Sequence, residues 1–299
     1  MHPVAAAPAR ARVLLAALAG VGAMLLYAGQ FVLSRWSIQR TLSLWDLAAL
    51  RFGVAGVLSA LFLLRRRPGL GGLGWGRLIA LTIAAGGPYT LIMYGGLSLA
   101  PAAHGAVIIP GATPVVAAAL TWWWWQERPW PAKVVGLALI VLGLVLVGWP
   151  GISAGAGSAI GLGDLLFTVA GVLWGFYTVA ARRWRVDPVP VTAAMWALSL
   201  LYLPLYAAVA GGRLLAAPRG EVLFQAAYQG IGVAIVALVL YAWAIRVLGA
   251  SVAALLMPLV PVFGVLLGVP VLGEVPDAVQ LAGMLGVSAG MVLAGVRRR

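Results

Sequence analysis

Tyr27 and Gln30 stand one helical turn apart in an apolar stretch, and Trp174 and Tyr177 repeat that spacing 147 residues further on. A phenol, an amide and an indole at this spacing make no covalent chemistry. What they can do is recognise a solute. Each offers a hydrogen-bonding tip, and each needs a partner once it leaves water. Positions three apart share one helix face. The four groups could therefore line a pocket for a small molecule with both apolar and polar parts; packing between helices is the alternative use. Tyr89, Tyr94 and Tyr241 are weaker candidates for the same lining.

Ionisable candidates are few. All seven acids (Asp46, Glu127, Asp164, Asp187, Glu221, Glu274 and Asp277) lie at or near the ends of apolar stretches. Arg51 sits about two turns inside its stretch, where a bilayer would charge up to about 3 kcal/mol for it. Asp46 or helix-end carbonyls are expected to satisfy it in a structural role. His104 opens another stretch and reads as a cap or interface residue rather than a ligand. Both remain candidates for polar or gating positions. There is no cysteine, the two histidines are far apart and the acids are dispersed. No metal, cofactor or nucleophile–base pair is expected, and so no enzyme. The pocket should hold almost no fixed charge.

The elements that must position these groups are membrane helices. Hydrophobic residues make up 63% of the 299 and charged residues 9%, far from soluble norms. A spanning helix needs roughly 20 apolar residues. The sequence predicts ten, at about 13–34, 45–64, 77–98, 104–124, 134–149, 163–181, 191–210, 222–245, 251–272 and 279–296. The breaks include Arg65-Arg66-Arg67-Pro68-Gly69, Pro101 and Arg128-Pro129-Trp130-Pro131. With alternating spans, 15 Lys and Arg fall on the side of the termini, including Arg297, Arg298 and Arg299, and four on the other. The richer side is the cytoplasmic one. That placement also explains the net charge of +13 without nucleic acid. Trp122–Trp125, Trp36, Trp45, Trp75, Trp130, Trp149 and Trp184 lie at span ends, as interfacial anchors do.

Residues 18–148 slide onto 165–295 without a gap. Tyr94 meets Tyr241, Pro114 meets Pro261, Glu127 meets Glu274, and Gly136, Gly143 and Gly148 meet Gly283, Gly290 and Gly295. The expected organisation is a first five-helix repeat over 1–150, a Gly/Ser-rich linker over 151–162 and a second repeat over 163–299. Five spans per half is odd, so the halves must be inverted about an axis in the membrane plane. That is the design of carriers with a central cavity and two access states. Helix breakers mark where such a cavity bends its walls: Pro88 after Gly86-Gly87, Pro110 and Pro114, and Pro258 and Pro261. Glu127 and Glu274 should each accept hydrogen bonds from a neighbouring helix N-terminus. Gly286 and Gly290 form a small-xxx-small pair for internal packing or a dimer, with a monomer the simpler expectation.

The stretch Ala250-Ser251-Val252-Ala253-Ala254-Leu255-Leu256-Met257-Pro258-Leu259-Val260-Pro261, followed by Leu272-Gly273-Glu274, Gly283 and Gly290, resembles the second half of an EamA-type repeat. The first half echoes it with Pro110, Pro114, Gln126-Glu127, Gly136 and Gly143. Leu50-Arg51-Phe52 is similar to the second-helix motif and Trp174-Gly175 to the sixth-helix motif. One departure is Trp125-Gln126-Glu127, where the family usually has Leu-Gly-Glu. The resemblance is to the drug/metabolite transporter superfamily and covers nearly the whole chain. It implies an all-α integral membrane fold of two inverted repeats around a central cavity, with helices 5 and 10 outside. It further implies export or exchange of small metabolites, most like the YddG-like exporters of aromatic and other neutral amino acids. The corresponding location is a bacterial inner membrane with both termini cytoplasmic. Buried relay acids are lacking, so facilitated diffusion or exchange is expected. Export of hydrophobic drugs or other metabolites shares the fold; an integral-membrane enzyme is a remote alternative.

Overall fold

Lipid offers no partner to a bare peptide group, so each apolar run must close its hydrogen bonds within itself. The computed structural model describes residues 9–295 apart from 68, 71, 156 and 211; Pro68 and Arg297–Arg299, used in the reading above, lie outside the described residues. Among the described residues, ten helices are long and apolar enough to cross a membrane. They are α1 (Arg10–Ile38), α2 (Leu44–Arg66), α3 (Trp75–Leu99), α4 (Ala102–Trp125), α5 (Pro131–Ser153), α6 (Ala159–Arg183), α7 (Pro188–Ala210), α8 (Arg219–Leu248), α9 (Val252–Leu272) and α10 (Ala278–Gly295).

The helices run a few residues past their expected limits, because caps rather than hydropathy end them. Ser43 and Asp46 start α2 as a reciprocal capping box, and Arg67 closes it in the left-handed region at φ 43°. Between the halves, helix extends to Ser153 and resumes at Ala159. Gly151 there packs directly on the backbone of Gly161, which leaves a linker shorter than 151–162.

The inversion is visible in one seam. A methyl group added at Gly136 would stand 2.7 Å from the Gly290 carbonyl oxygen, and one at Gly290 2.6 Å from that of Gly136. Likewise, a methyl at Gly143 would stand 2.5 Å from the Gly283 oxygen. Each glycine therefore meets the repeat mate of the other pair. That crossing occurs only if α5 and α10, themselves mates, run antiparallel. The seam uses glycines seven apart on both helices rather than Gly286 and Gly290 alone; Gly286 is looser, at 3.8 Å from Gly143. The other packing pairs also come as mates. α1 lies against α8 and α9 as α6 lies against α3 and α4, and α2 lies against α7.

The breakers act unequally. α3 is interrupted at Gly86 and restarts with Pro88 in its first turn. α4 carries Pro110 and Pro114 without a break. Its mate α9 is divided: a short helix over Ala250–Ala254 gives way to turns, and regular helix resumes at Leu259, just after Pro258. α8 widens into π-type turns over Tyr228–Ala237, a deviation often found beside functional sites.

Candidate functional site

The candidates on α6 meet Tyr89 of α3. The Trp174 ring lies 5.1 Å from that of Tyr89 and 5.3 Å from that of Tyr177. Tyr27, Trp174, Tyr177 and Tyr241 are only partly buried although each faces other helices.

Arg51 on α2 is 6% exposed. The expected partner, Asp46, is engaged elsewhere: it caps α2 and accepts from the Tyr206 hydroxyl. Arg51 instead donates from one terminal nitrogen to the Gln30 amide oxygen at 2.7 Å and lies 5.0 Å over the Trp196 ring. Its Nε is buried without a partner, as is the indole nitrogen of Trp196. Among the described residues no carboxylate lies within ion-pair distance of it. The Gln30 amide nitrogen is left with the Met93 sulfur at 3.5 Å, a weak acceptor. A fixed positive charge is therefore buried where the sequence predicted an almost uncharged interior. The pairing was invisible there because its partners come from α1 and α7, by helix crossing.

The end of the bundle that carries Glu274 is sealed. Glu274, just past α9, pairs with Arg35 on α1 and accepts from the Ala102 backbone at 2.8 Å, capping α4. Arg35 also donates to the Leu97 carbonyl at 2.7 Å. Behind this lock lies a fully buried polar layer. Gln225 donates to the Leu33 carbonyl and to Ser37. Gln229 donates to Ser34 at 2.8 Å, and the Tyr94 hydroxyl donates to Gln229 at 3.2 Å. Tyr94 is thus fully covered and belongs to the seal, apart from the partly buried aromatics around Trp174. His104 is buried too, against expectation for a cap. Its Nδ1 lies 2.7 Å from Asp164 on α6 and its Nε2 3.0 Å from the Gln280 amide. The second oxygen of Asp164 has no partner.

The opposite end is loose. Glu127 and Arg182 are the mates of Glu274 and Arg35, yet they stand 3.9 Å apart with more than half of each side chain exposed. The predicted helix cap at Glu127 is therefore not made. Beside them opens a cavity of about 410 Å³ lined by Arg77, Trp124, Arg183, Trp184 and Arg185. Trp124 and Trp184 flank Phe176 at 6.1 and 6.3 Å. They pack with Trp174 and Tyr177 around one apolar cluster, so aromatic side chains run from this vestibule to the two candidates on α6. These two tryptophans are therefore more than interfacial anchors. Sequence reasoning missed the roles of Asp164, Trp196, Gln225 and Gln229. Only the polarity of the two glutamines inside an apolar span could have signalled them. Among the described residues, no group of three or more His, Asp or Glu could hold a metal ion.

Residues 14–149 and again 161–296 match the model of the EamA-like transporter family. A protein named as an uncharacterized transporter from Archaeoglobus fulgidus is 26% identical over 275 residues, covering 90% of this chain and 93% of the relative. An uncharacterized protein of Pseudomonas aeruginosa is 31% identical over 281 residues, covering 91% of each. A crystal structure of a protein shares the fold with a TM-score of 0.59, at 22% identity over 93% of this chain and 96% of that one.

Proposed function

The chain belongs to the EamA-like transporter family, and on that premise we propose that it exports small metabolites, aromatic and other neutral amino acids first among them, by alternating access. The observation that carries the reading is one pair of residues used twice. Arg35–Glu274 is closed and largely buried at one face, while its mate Arg182–Glu127 is open at the other. In an inverted repeat, exchanging the conformations of the two halves exchanges the open face. By the bias of Lys and Arg the open face is cytoplasmic, with both termini there, in a bacterial inner membrane. A solute would enter past Trp124 and Trp184, rest against Trp174, Tyr177, Tyr89, Tyr27 and Tyr241, and leave once the Glu274 end opens. The kink prolines Pro88, Pro258 and Pro261 sit where such a bend would be taken up. No step needs a cofactor.

Counterflow of labelled phenylalanine into liposomes holding the purified protein tests this. Trp174→Ala should lower the rate roughly tenfold while leaving the amount of folded protein unchanged, because it removes the ring that joins Tyr89 to Tyr177. Counterflow that survives Trp174→Ala unaltered removes that ring from the path.

Facilitated diffusion or exchange needs nothing beyond these parts. The buried His104–Asp164 pair supports a second reading, in which a proton travels with the cycle, because buried acids and histidines build proton relays. Rates unchanged by a proton ionophore favour the first reading; rates that collapse with the gradient favour the second. An aromatic chamber would also accept hydrophobic drugs, which the same counterflow assay separates by competition.

A further inference from the structure

We propose that Arg51 is the anchor for an acidic group of the substrate, so that the solute is recognised by its carboxylate rather than by its ammonium. This rests on the transport reading above and deepens it.

The first ground is an imbalance of donors. Arg51 carries five N–H groups, and one of its terminal nitrogens donates to Gln30. Its Nε is buried and unpartnered, as is the Trp196 indole nitrogen in the adjoining ring. A buried donor left unmade is costly, and a buried cation without an anion costs more. Both are relieved by the same visitor, an anion with two acceptor oxygens. A guanidinium takes a carboxylate through paired N–H bonds.

The second ground is where the acids sit among the described residues. Asp164, although its second oxygen is unpartnered, belongs with His104 to the sealed end, and Glu274 holds Arg35. The aromatic ring from Tyr89 through Trp174 to Tyr177 suits an apolar body. The third ground is the approach. The 410 Å³ vestibule presents Arg77, Arg183 and Arg185 with two tryptophans and no acid among its lining residues. A cleft lined by one sign of charge gathers the opposite ion. The class of substrate that fits all three is an aromatic or apolar carboxylate, with or without an amino group.

The test compares compounds on the unaltered protein. Phenylalanine, N-acetylphenylalanine and phenylalaninamide compete in the counterflow assay, and quenching of tryptophan fluorescence reads binding without transport. The two acids should compete about equally, and the amide at least roughly tenfold more weakly, as expected for a hydrogen bond to a charged group. Arg51→Gln should erase that preference, and Arg51→Lys should restore part of it, as a point charge without the fork. Equal competition by acid and amide, or a preference for the amide, overturns the anchor while leaving the carrier intact. Quenching by the acids without counterflow keeps the anchor and removes the transport reading. Neither quenching nor counterflow with any of the three overturns both.

Discussion

The two ends of the bundle are built from the same repeat, yet one is locked and one is not. At the Glu274 end a carboxylate, a guanidinium and a helix N-terminus converge, and a buried layer of two glutamines, two serines and Tyr94 closes the bundle behind them. At the Glu127 end the mates of the two glutamines are Leu78, in an apolar cluster, and Thr82, whose hydroxyl bonds its own helix at Leu78. One end is thus held by polar groups that need each other, the other by apolar contact and exposed charge. Sequence symmetry guarantees matching scaffolds. It does not guarantee matching seals, because hydrogen bonds depend on the residues that the repeat did not copy.

The sharpest break of this asymmetry is Glu274→Ala. It strips Arg35 of its partner and uncaps α4, and should cost about 2–4 kcal/mol, since the pair is largely shielded from water. The chain has no cysteine, so a single Ser34→Cys reports the seal. That thiol should resist a membrane-impermeant reagent in the parent and react once Glu274 is removed. A thiol equally protected in both would mean that the lock does not hold the end closed.

Gln229→Leu should act less strongly. It leaves the Ser34 and Tyr94 hydroxyls without their partner in a dry layer, at about 1–3 kcal/mol. A drop in melting temperature with little change in the Ser34→Cys labelling would place the glutamine behind the lock rather than in it.

The smallest effect on stability belongs to Glu127→Ala. Exposed ion pairs contribute about 0–1 kcal/mol, so the melting temperature should barely move. Counterflow should nonetheless fall severalfold, because the pair is needed when the open end closes. A variant with parental counterflow would show that the mates do not take turns.

The helices were readable because the bilayer imposes one rule on every span, and length and hydropathy suffice to apply it. Caps were less readable: Ser43 and Asp46 lengthen α2 beyond its apolar run. The aromatic candidates could be found because the repeat set Tyr27 against Trp174 and Gln30 against Tyr177. Their company could not. Arg51 finds Gln30 at 21 residues' distance and Trp196 at 145, and His104 finds Asp164 at 60. Such partners are chosen by where helices cross.

The sequence by itself determined ten spans, two inverted halves, a family and a set of aromatic residues near the middle of the membrane. Those follow from composition and period, which are properties of the chain taken in order. Only the tertiary structure decided that Arg51 is left without an acid, that His104 is buried on Asp164, and that one of two equivalent ends is sealed. These depend on distances between side chains far apart in the sequence, and on burial, which shields one of two equivalent ion pairs and leaves its mate exposed.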